Sequence, residues 1–502
     1  MMNNNKYRTR IAPSPTGYPH IGLIRTVLYN YALSMQSNGQ FILRLEDTDT
    51  KRLVADAESK LYEMLNAYGL KWNEGMVVGG PYGPYKQSER LPKYQEIAHK
   101  LVKEGFAYYA FDTIERLDML RTEQEKAGIR THYDNRDRDI DPIEAKKRVD
   151  SGEKYCVRLK IPLNTTIKFH DPIANKEITW ESKDLDDIIL LKSDGYPTYH
   201  LGVVVDDVEM KITHVFRGPE WIATTPYHIY LYDCLKYTKP EIIHVTVIFD
   251  PRTGKKFSKR DMTGMFLAEK YLIEGYLVEG VLNYLMLLGW APKDNREFFT
   301  LEEFVEAFDL KGLQKANPTF NQKKFEFFAG HYFRLLSIDD LLKRGNEWAE
   351  KYAKDYQDVF TKLIDKKSEL EVGIKMVQER AFTFKSFADQ MRLFFEEPKT
   401  FNIENAKGVK DLDKEKLKKI VTELESGIKT LSDDSKAWKH EDWEKIVREI
   451  AKSNEIKDAD SFMALRIAIV GEPFSPPLFE MMQILGKEEC LKRIQTLITN
   501  IK

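Results

Sequence analysis

Residues 7–45 of the chain read YRTRIAPSPTGYPHIGLIRTVLYNYALSMQSNGQFILRL. The segment opens with a short strand pattern from Tyr7 to Ala12, and a proline-rich loop follows it. From His20 the apolar residues recur every three or four positions, which predicts a helix that ends at Asn38-Gly39. A second strand is predicted from Gln40 to Leu45. A strand, a helix and a strand within about 40 residues indicate a βαβ unit and a parallel sheet.

A second informative segment lies more than two hundred residues downstream. It reads KKFSKR, residues 255–260, and follows a predicted strand from Ile242 to Phe249. Lysines act as point charges on phosphate and can follow a moving pyrophosphate. Taken alone, this segment has a simpler interpretation as a solvated basic loop.

The proline-rich loop before the first helix is also a candidate phosphate site. A helix N-terminus offers backbone N–H groups to an anion, and His20 can donate to phosphate oxygens. Gly22 lets a bulky adenosine approach the backbone closely. Taken alone, the loop is equally compatible with a proline-stiffened turn that carries a surface histidine. Because both segments follow strands of the same predicted sheet, they are interpreted together as two halves of one nucleotide triphosphate site.

The composition limits the class of protein. The chain has 502 residues, enough for roughly three to five domains, with 42% hydrophobic and 31% charged residues, as in soluble globular proteins. A transmembrane helix is not expected, because no run of about 18 apolar residues occurs. The polar segment Met1 to Lys6 has no apolar core of a signal peptide, which favours a cytoplasmic location.

Charge and cysteine content narrow the class further. The formal net charge of −2 does not by itself indicate a nucleic-acid partner, although a local basic face on a neutral protein can bind phosphates. Cys156, Cys234 and Cys490 are far apart, which excludes a disulfide framework and a zinc cluster of cysteines.

The pattern changes twice along the chain. Residues 97–195 interrupt the parallel-sheet pattern with helical and strand-like stretches, which predicts an inserted α+β domain. The sheet pattern resumes with a strand from Thr213 to Arg217 and a helix from Pro226 to Leu235. Residues 336–502 are rich in Lys, Glu and Leu with helical periodicity, which predicts an all-helical region with two subdomains that divide near residue 392.

The two segments together resemble the double signature of class I aminoacyl-tRNA synthetases. The resemblance to the bacterial glutamyl-tRNA synthetase family is closer still and covers nearly the whole chain. Its motifs are TRIAPSPTG (residues 9–17), RLEDTD (44–49), GPYKQSER (83–90), SDGYPTYH (193–200), VVDD (204–207) and SPPLFE (475–480).

The resemblance implies an α/β fold with four parts. These are a Rossmann-type parallel-sheet catalytic domain (1–96 and 196–254), an inserted α+β domain that binds the acceptor end (97–195), a stem-contact region with the lysine loop (255–335) and an all-α anticodon-binding region (336–502). It also implies a two-step reaction, in which glutamate and ATP give glutamyl-adenylate and tRNA(Glu) then takes the glutamyl group. Mg²⁺ is expected with ATP, bound tRNA is usually required for activation, and a monomer is expected.

The family motifs also assign roles to residues. The glutamate site is expected to contain Arg10, Ala12, Ser14, Glu46, Tyr199 and Arg217, with Glu46 at the α-ammonium group. The ATP site is expected to contain His20, Gly22, Arg52, Glu220, Trp221, Lys256 and Lys259, of which His20, Lys256 and Lys259 are the catalytic residues. Without the motifs, the arginines would be surface salt bridges, Glu46 a cap and Trp221 an ordinary core residue.

The chain departs from the family pattern in three places. Leu23 stands where the class signature has a second histidine, and Val203 stands where some relatives carry an asparagine in the glutamate pocket. Some bacterial relatives hold zinc with a Cys-x-Cys pair after a tyrosine-rich stretch. Here that stretch, AYYAFD at residues 107–112, has no cysteine, so the zinc site is expected to be absent. An anticodon-reading arginine is expected near Arg380, where a helix-surface arginine is the simpler interpretation.

Three alternatives are weaker. Glutaminyl-tRNA synthetase shares the catalytic core but ends in β-barrels, whereas this chain ends in helical patterns. A truncated paralogue that glutamylates a modified tRNA base lacks an anticodon domain, which the length of this chain argues against. An inactive RNA-binding protein would not need the intact site residues. The choice between tRNA(Glu) alone and tRNA(Glu) together with tRNA(Gln) stays open.

Overall fold

The computed structural model describes residues 6–257 and 266–501. The described residues divide into two compact units. The first lies within Met1–Glu269 and Leu282–Asn321, and the second lies within Lys270–Val281 and Gln322–Lys502.

Strands occur only before residue 245 in the part of the chain that the structure describes. They are β1 (Arg8–Ile11), β2 (Gln40–Leu43), β3 (Glu74–Gly75), β4 (Ala107–Ala110), β5 (Cys156–Leu159), β6 (Thr166–Asp171), β7 (Lys176–Glu181), β8 (Ile189–Leu191), β9 (His214–Arg217) and β10 (Glu241–His244).

Helices run through both units. Those of residues 6–257 are α1 (Ile21–Gln36), α2 (Ala57–Ala67), α3 (Leu91–Lys103), α4 (Ile114–Lys126), α5 (Pro142–Asp150), α6 (Tyr199–Glu209) and α7 (Thr225–Cys234). Those of residues 266–501 are α8 (Ala268–Ile273), α9 (Val278–Leu287), α10 (Leu301–Ala307), α11 (Gln322–Arg334), α12 (Ile338–Tyr352), α13 (Gln357–Asp365), α14 (Lys367–Gln378), α15 (Phe384–Arg392), α16 (Lys414–Lys429), α17 (His440–Ser453), α18 (Asp458–Val470), α19 (Leu478–Leu485) and α20 (Lys487–Asn500).

The first unit is built on a five-stranded parallel sheet in the order β10-β9-β1-β2-β3. The central strands are buried on both faces, so their sequences are continuous apolar runs, as with Phe41, Ile42 and Leu43. Helix α1 packs on this sheet between β1 and β2. The predicted strand–helix–strand unit and its parallel sheet are therefore confirmed.

The last strand of the sheet is shorter than its apolar run. A strand is predicted from Ile242 to Phe249, but β10 ends at His244. Val245 still donates its N–H to the carbonyl of Arg217 at 2.9 Å, and Phe249 then hydrogen-bonds with Pro318 instead of a sheet neighbour. The residues beyond His244 are apolar because they are buried beside the end of the sheet, and burial alone does not distinguish a strand from a loop.

Residues between α3 and α6 form a separate layer of antiparallel strands. A three-stranded sheet has the order β4-β5-β8, and β6 pairs with β7 as a hairpin. Asp187 accepts hydrogen bonds from the hydroxyl of Tyr108 and from Arg138 in this layer, which joins its strands to the loop before α5. The α+β character predicted for this part of the chain is confirmed.

The second unit is helical throughout its described residues. Its core is one cluster of buried apolar side chains contributed mainly by α12–α20. Trp348 also donates its indole N–H to the carbonyl of Leu272 at 2.9 Å, which joins α12 to the 270–281 segment of the same unit. Within residues 6–257 and 266–501, no helix is long and apolar enough to cross a membrane.

Candidate active site

A cavity of about 850 Å³ opens at the carboxyl ends of β1, β2 and β9, beside the first turn of α1. Parallel sheets place ligands at this edge. Its walls include every predicted site residue within the described ranges, namely Arg10, Ala12, Ser14, His20, Gly22, Glu46, Arg52, Tyr199, Arg217, Glu220, Trp221 and Lys256. Lys259 lies outside the described residues.

His20 is held in a fixed orientation at the start of α1. Its Nδ1 accepts a hydrogen bond from the N–H of Leu23 at 3.0 Å, so the histidine is the N-cap of the helix. Its ring stacks on Phe266 with the centroids 4.2 Å apart. Because Nδ1 accepts, the proton of the neutral ring lies on Nε2, the atom that can donate to a phosphate.

Two backbone N–H groups in the first turn of α1, which the sequence suggests as phosphate donors, already have hydrogen-bond acceptors within the protein. The N–H of Ile21 donates to the carbonyl of Phe266 at 3.0 Å, and that of Leu23 is capped by His20. A Cβ atom on Gly22 would lie 3.1 Å from Nδ1 of His20. The glycine therefore makes room for the imidazole as well as for any ligand.

Arg10 reaches the cavity already paired with a carboxylate. Its Nε and Nη2 donate to the two oxygens of Asp207 on α6, each at 3.2 Å, and Nη1 donates to the carbonyl of Phe216 at 3.3 Å. Arg44 also donates to Asp207, at 2.7 Å. Burial opposes the charge of Asp207, but Arg10 and Arg44 outweigh burial and hold the pKa of Asp207 below its ordinary value.

Glu46 follows β2 and faces the same space. It accepts a hydrogen bond from Arg44 at 3.1 Å and is 6% exposed. Burial raises the pKa of Glu46 to about 6, against the opposing attraction of Arg44 and Arg10. The carboxylate is thus ionised near neutral pH but poorly compensated, which suits it to receive a cation.

Arg217, at the end of β9, is held by three uncharged groups. Its Nε donates to Nε2 of His244 at 3.0 Å, its Nη1 to Nδ1 of His228 at 2.8 Å and its Nη2 to the hydroxyl of Thr225 at 2.7 Å. The side chain is 6% exposed, and burial lowers its pKa. No carboxylate within the described residues forms an ion pair with it. The cavity therefore contains a buried positive charge that an anionic ligand would neutralise.

Tyr199 and Trp221 form an aromatic wall. Their ring centroids lie 4.1 Å apart at an interplanar angle of 33°. Burial raises the pKa of Tyr199 to about 12, so its hydroxyl stays protonated and can donate to a ligand. Trp221 is half-buried at the cavity and is not part of the closed core.

The outer part of the cavity carries opposite charges. Lys256 donates to Glu220 at 2.6 Å, and both side chains are about half exposed. Arg52 pairs with Asp49 and is largely exposed. These three predicted site residues therefore lie where a polar ligand meets solvent.

Two family models match the chain. The catalytic domain of class I tRNA synthetases (E and Q) matches residues 6–327, and an anticodon binding domain matches residues 341–498. The Glutamate--tRNA ligase of Clostridioides difficile is 37% identical over 98% of this chain and 99% of that protein. The enzyme of the same name from Thermus thermophilus is 36% identical over 97% of this chain and 98% of that protein.

A solved structure extends the similarity to the fold. It is titled as a glutamate tRNA ligase from Elizabethkingia meningosepticum in complex with its amino acid, and it is 32% identical with a TM-score of 0.80. The match covers 99% of this chain and 100% of that chain. The chain belongs to the glutamate–tRNA ligase family of class I aminoacyl-tRNA synthetases.

Membership of this family resolves the competing interpretations. The catalytic model is shared between the glutamate and glutamine enzymes, but the anticodon model lies on the helical region of α12–α20. Both the truncated paralogue and the enzyme with β-barrels are therefore excluded, because the anticodon-binding domain is present and helical.

Two of the three departures from the family pattern, Val203 and the missing zinc-site cysteines, can be compared with the structure. Val203 is buried in an apolar cluster with Leu201 and Val204 on α6, so it belongs to the helix core. Among the described residues, no group of three or more His, Cys, Asp or Glu side chains is arranged to hold a metal ion. The absence of zinc stays a prediction.

Five polar residues behind the site were not assigned roles from the sequence. They are Arg44, Asp206, Asp207, His228 and His244. The signal for the aspartates is that they directly follow Val203–Val205 in an otherwise apolar helix, because carboxylates are rarely buried without partners. The histidines carry no comparable local signal.

Proposed function

We propose that this chain joins L-glutamate to the 3′ end of tRNA(Glu) in two steps that use ATP. In the first, a carboxylate oxygen of glutamate attacks the α-phosphorus, an O–P bond forms, and the bond to pyrophosphate breaks. In the second, a hydroxyl of the terminal ribose attacks the glutamyl carbonyl and AMP leaves. Positioning and charge stabilisation supply most of the acceleration in such phosphoryl chemistry.

The observation that carries this proposal is that the cavity contains two separate buried side chains of opposite charge. Arg217 is a buried cation without a carboxylate partner among the described residues, and Glu46 is a buried, poorly compensated carboxylate. An amino acid with a carboxylate and an ammonium group complements this pair. Arg10, Ala12, Ser14 and Tyr199 complete the proposed glutamate site around them.

The proposed ATP site occupies the other end of the cavity. Its described members are His20, Gly22, Arg52, Glu220, Trp221 and Lys256. His20 presents Nε2–H, and Lys256 can exchange its partner Glu220 for a phosphate oxygen because both side chains reach solvent. Lys259 keeps its proposed catalytic role on the basis of the motif alone. Mg²⁺ would arrive with ATP, since it binds mainly phosphate oxygens and water.

The proposed anticodon site lies in the second unit. Burial, and then repulsion by the positive charge of Arg380, lowers the pKa of Arg466. Arg466 donates to the hydroxyl of Ser475 at 2.8 Å, and the neighbouring Phe474 is 86% exposed. Positive side chains combined with an exposed aromatic ring are typical of surfaces that bind single-stranded nucleic acid. This arrangement supports a role for Arg380 in reading the anticodon.

Kinetics of the Arg217→Gln variant test the proposed site. In ATP–pyrophosphate exchange with cognate tRNA, we expect the KM for glutamate to rise at least about 100-fold and the KM for ATP to change little, since a buried charge partner is lost. Lys71→Gln, which removes an exposed positive charge away from the cavity walls, is the control. An unchanged KM for glutamate in Arg217→Gln would remove this residue from the glutamate site.

The choice of tRNA needs a separate experiment. We propose tRNA(Glu) as the substrate, and charging of separate tRNA(Glu) and tRNA(Gln) transcripts tests whether tRNA(Gln) is accepted as well. We also propose a cytoplasmic monomer, as the sequence suggests. Sedimentation of the intact protein at the mass of one chain is the expected result.

A further inference from the structure

The partners of Arg217 have a defined protonation state. A guanidinium group only donates, so each atom that contacts it must accept. His228 accepts through Nδ1 and His244 through Nε2, at 2.8 and 3.0 Å. Each of these nitrogens is therefore unprotonated, and both rings are neutral.

A third histidine fixes the tautomer of His228. Nε2 of His228 lies 3.0 Å from Nδ1 of His200, so the proton on Nε2 is donated to that atom. Burial lowers the pKa of His228 and of His200, the latter to about 4, and the charge of Arg217 acts in the same direction. The chain from His200 through His228 to Arg217 is thus a row of hydrogen bonds with one positive charge at its end.

The contrast with Arg10 is informative. Both arginines are buried at the same cavity, but Arg10 is paired with both oxygens of Asp207, whereas Arg217 is held by two neutral rings and the hydroxyl of Thr225. A carboxylate at position 228 or 244 would orient Arg217 equally well. It would also neutralise the charge before any ligand arrived.

We propose that His228 and His244 are positioning residues that hold the guanidinium of Arg217 towards the cavity while leaving its charge for a substrate carboxylate. This inference rests on the proposed role of Arg217 in binding glutamate. Beyond these three contacts the guanidinium also hydrogen-bonds with the uncharged hydroxyl of Tyr199, so every group that holds it is neutral and an N–H group is left for a ligand carboxylate. A neutral cradle thereby favours a ligand with a carboxylate over its amide, because an amide would leave the buried charge unpaired.

Substitutions that differ only in charge test the proposal. His228→Gln keeps a neutral acceptor, and we expect the KM for glutamate to stay within about fivefold of wild type, as for a retained hydrogen bond. His228→Glu supplies a charged partner, and we expect the KM for glutamate to rise at least about 30-fold with the KM for ATP within about threefold. The measurement is ATP–pyrophosphate exchange by the full chain with cognate tRNA.

A second pair of variants, at position 244, keeps the test valid if a variant at position 228 fails to fold. His244→Gln and His244→Glu should show the same split between neutral and charged replacements, and thermal unfolding identifies any variant that fails to fold. Asn66→Glu adds a carboxylate at an exposed position on α2 of the same unit, away from the cavity walls, and is the control for added charge. Equal increases in the KM for glutamate in the Gln and Glu variants would show that shape matters and charge does not.

These measurements distinguish failure of the proposed role of the histidines from failure of the proposed role of Arg217 in binding glutamate. If Arg217→Gln raises the KM for glutamate but neither Glu variant does, Arg217 binds glutamate and the neutral cradle is wrong. If Arg217→Gln leaves this KM unchanged in an active enzyme, the assigned role of Arg217 fails first.

Discussion

At the scale of single residues, the active site is a set of buried charges with different degrees of compensation. Arg10 and Asp207 form an ion pair, and Arg44 is shared among Asp206, Asp207 and Glu46. Arg217 and Glu46 are left with the least compensation. The proposed glutamate substrate would supply the missing counter-charges to both, so that its binding would also compensate these buried charges.

The titration of Glu46 gives a prediction at this scale. Its raised pKa of about 6 means that it begins to protonate as the pH falls below neutrality, and a protonated carboxyl no longer attracts an ammonium group. The free-enzyme kcat/KM for glutamate should therefore fall about tenfold per pH unit below about pH 6. Steady-state kinetics between about pH 4.5 and pH 8 measure this, because the full slope is reached only about one pH unit below the pKa.

A neutral replacement provides the control. Glu46→Gln should have a low kcat/KM for glutamate that is nearly independent of pH in this range, whereas kcat/KM for ATP should behave as in wild type. A slope in Glu46→Gln equal to that in wild type would assign the titration to another group.

At the scale of elements, the first turn of α1 combines structural and chemical roles. His20 caps the helix through Nδ1 and lines the cavity, and Gly22 leaves space for its ring. Phe266 packs against the other side of the imidazole. The orientation of this histidine, which is the proposed catalytic residue, is thus a property of the whole turn.

The variant Gly22→Ala tests this coupling. The added methyl group would lie 3.1 Å from Nδ1 of His20, and stacking on Phe266 limits how far the ring can shift. We expect kcat for adenylate formation to fall at least about tenfold, because small misplacements of a catalytic group are costly. Alanine favours a helix over glycine by up to about 1 kcal/mol, so we do not expect the free energy of unfolding to fall. A loss of stability with an unchanged kcat would contradict this account.

At the scale of the whole molecule, the chain contains two units with separate cores. The described residues that line the active-site cavity extend from Arg10 to Phe266 and all belong to the first unit. The helical second unit contains the residues matched by the anticodon-binding model. Catalytic and anticodon-reading roles are therefore assigned to different cores.

Metal dependence is the prediction at this scale. The three cysteines are unpaired and far apart in sequence, and the described residues contain no cluster of metal ligands. We expect elemental analysis to find less than about 0.1 zinc ion per chain, since structural zinc sites use four such ligands. Treatment with a zinc chelator should leave aminoacylation and the unfolding temperature unchanged once Mg²⁺ is restored. Stoichiometric zinc in the purified protein would overturn the prediction.

The sequence by itself determined the features that depend on local patterns. Strand and helix periodicity in residues 7–45 predicts the parallel sheet, and the periodicity after residue 335 predicts the helical region. The same local patterns place the proline-rich loop and the strand ends at one edge, which predicts where a ligand site lies, whereas the individual site residues were predicted from the family motifs. Helix and strand preferences act between neighbours, which is why they can be read without coordinates.

Only the tertiary structure decided how the charges are compensated. Arg10 and Asp207 are 197 residues apart in the chain, and Arg217 meets two histidines on different elements. The family motifs assign Arg10 and Arg217 to the same glutamate site. The structure shows that a carboxylate neutralises Arg10, whereas neutral rings hold Arg217. Compensation of a buried charge depends on distances of a few ångströms across the fold, and no local pattern records those distances.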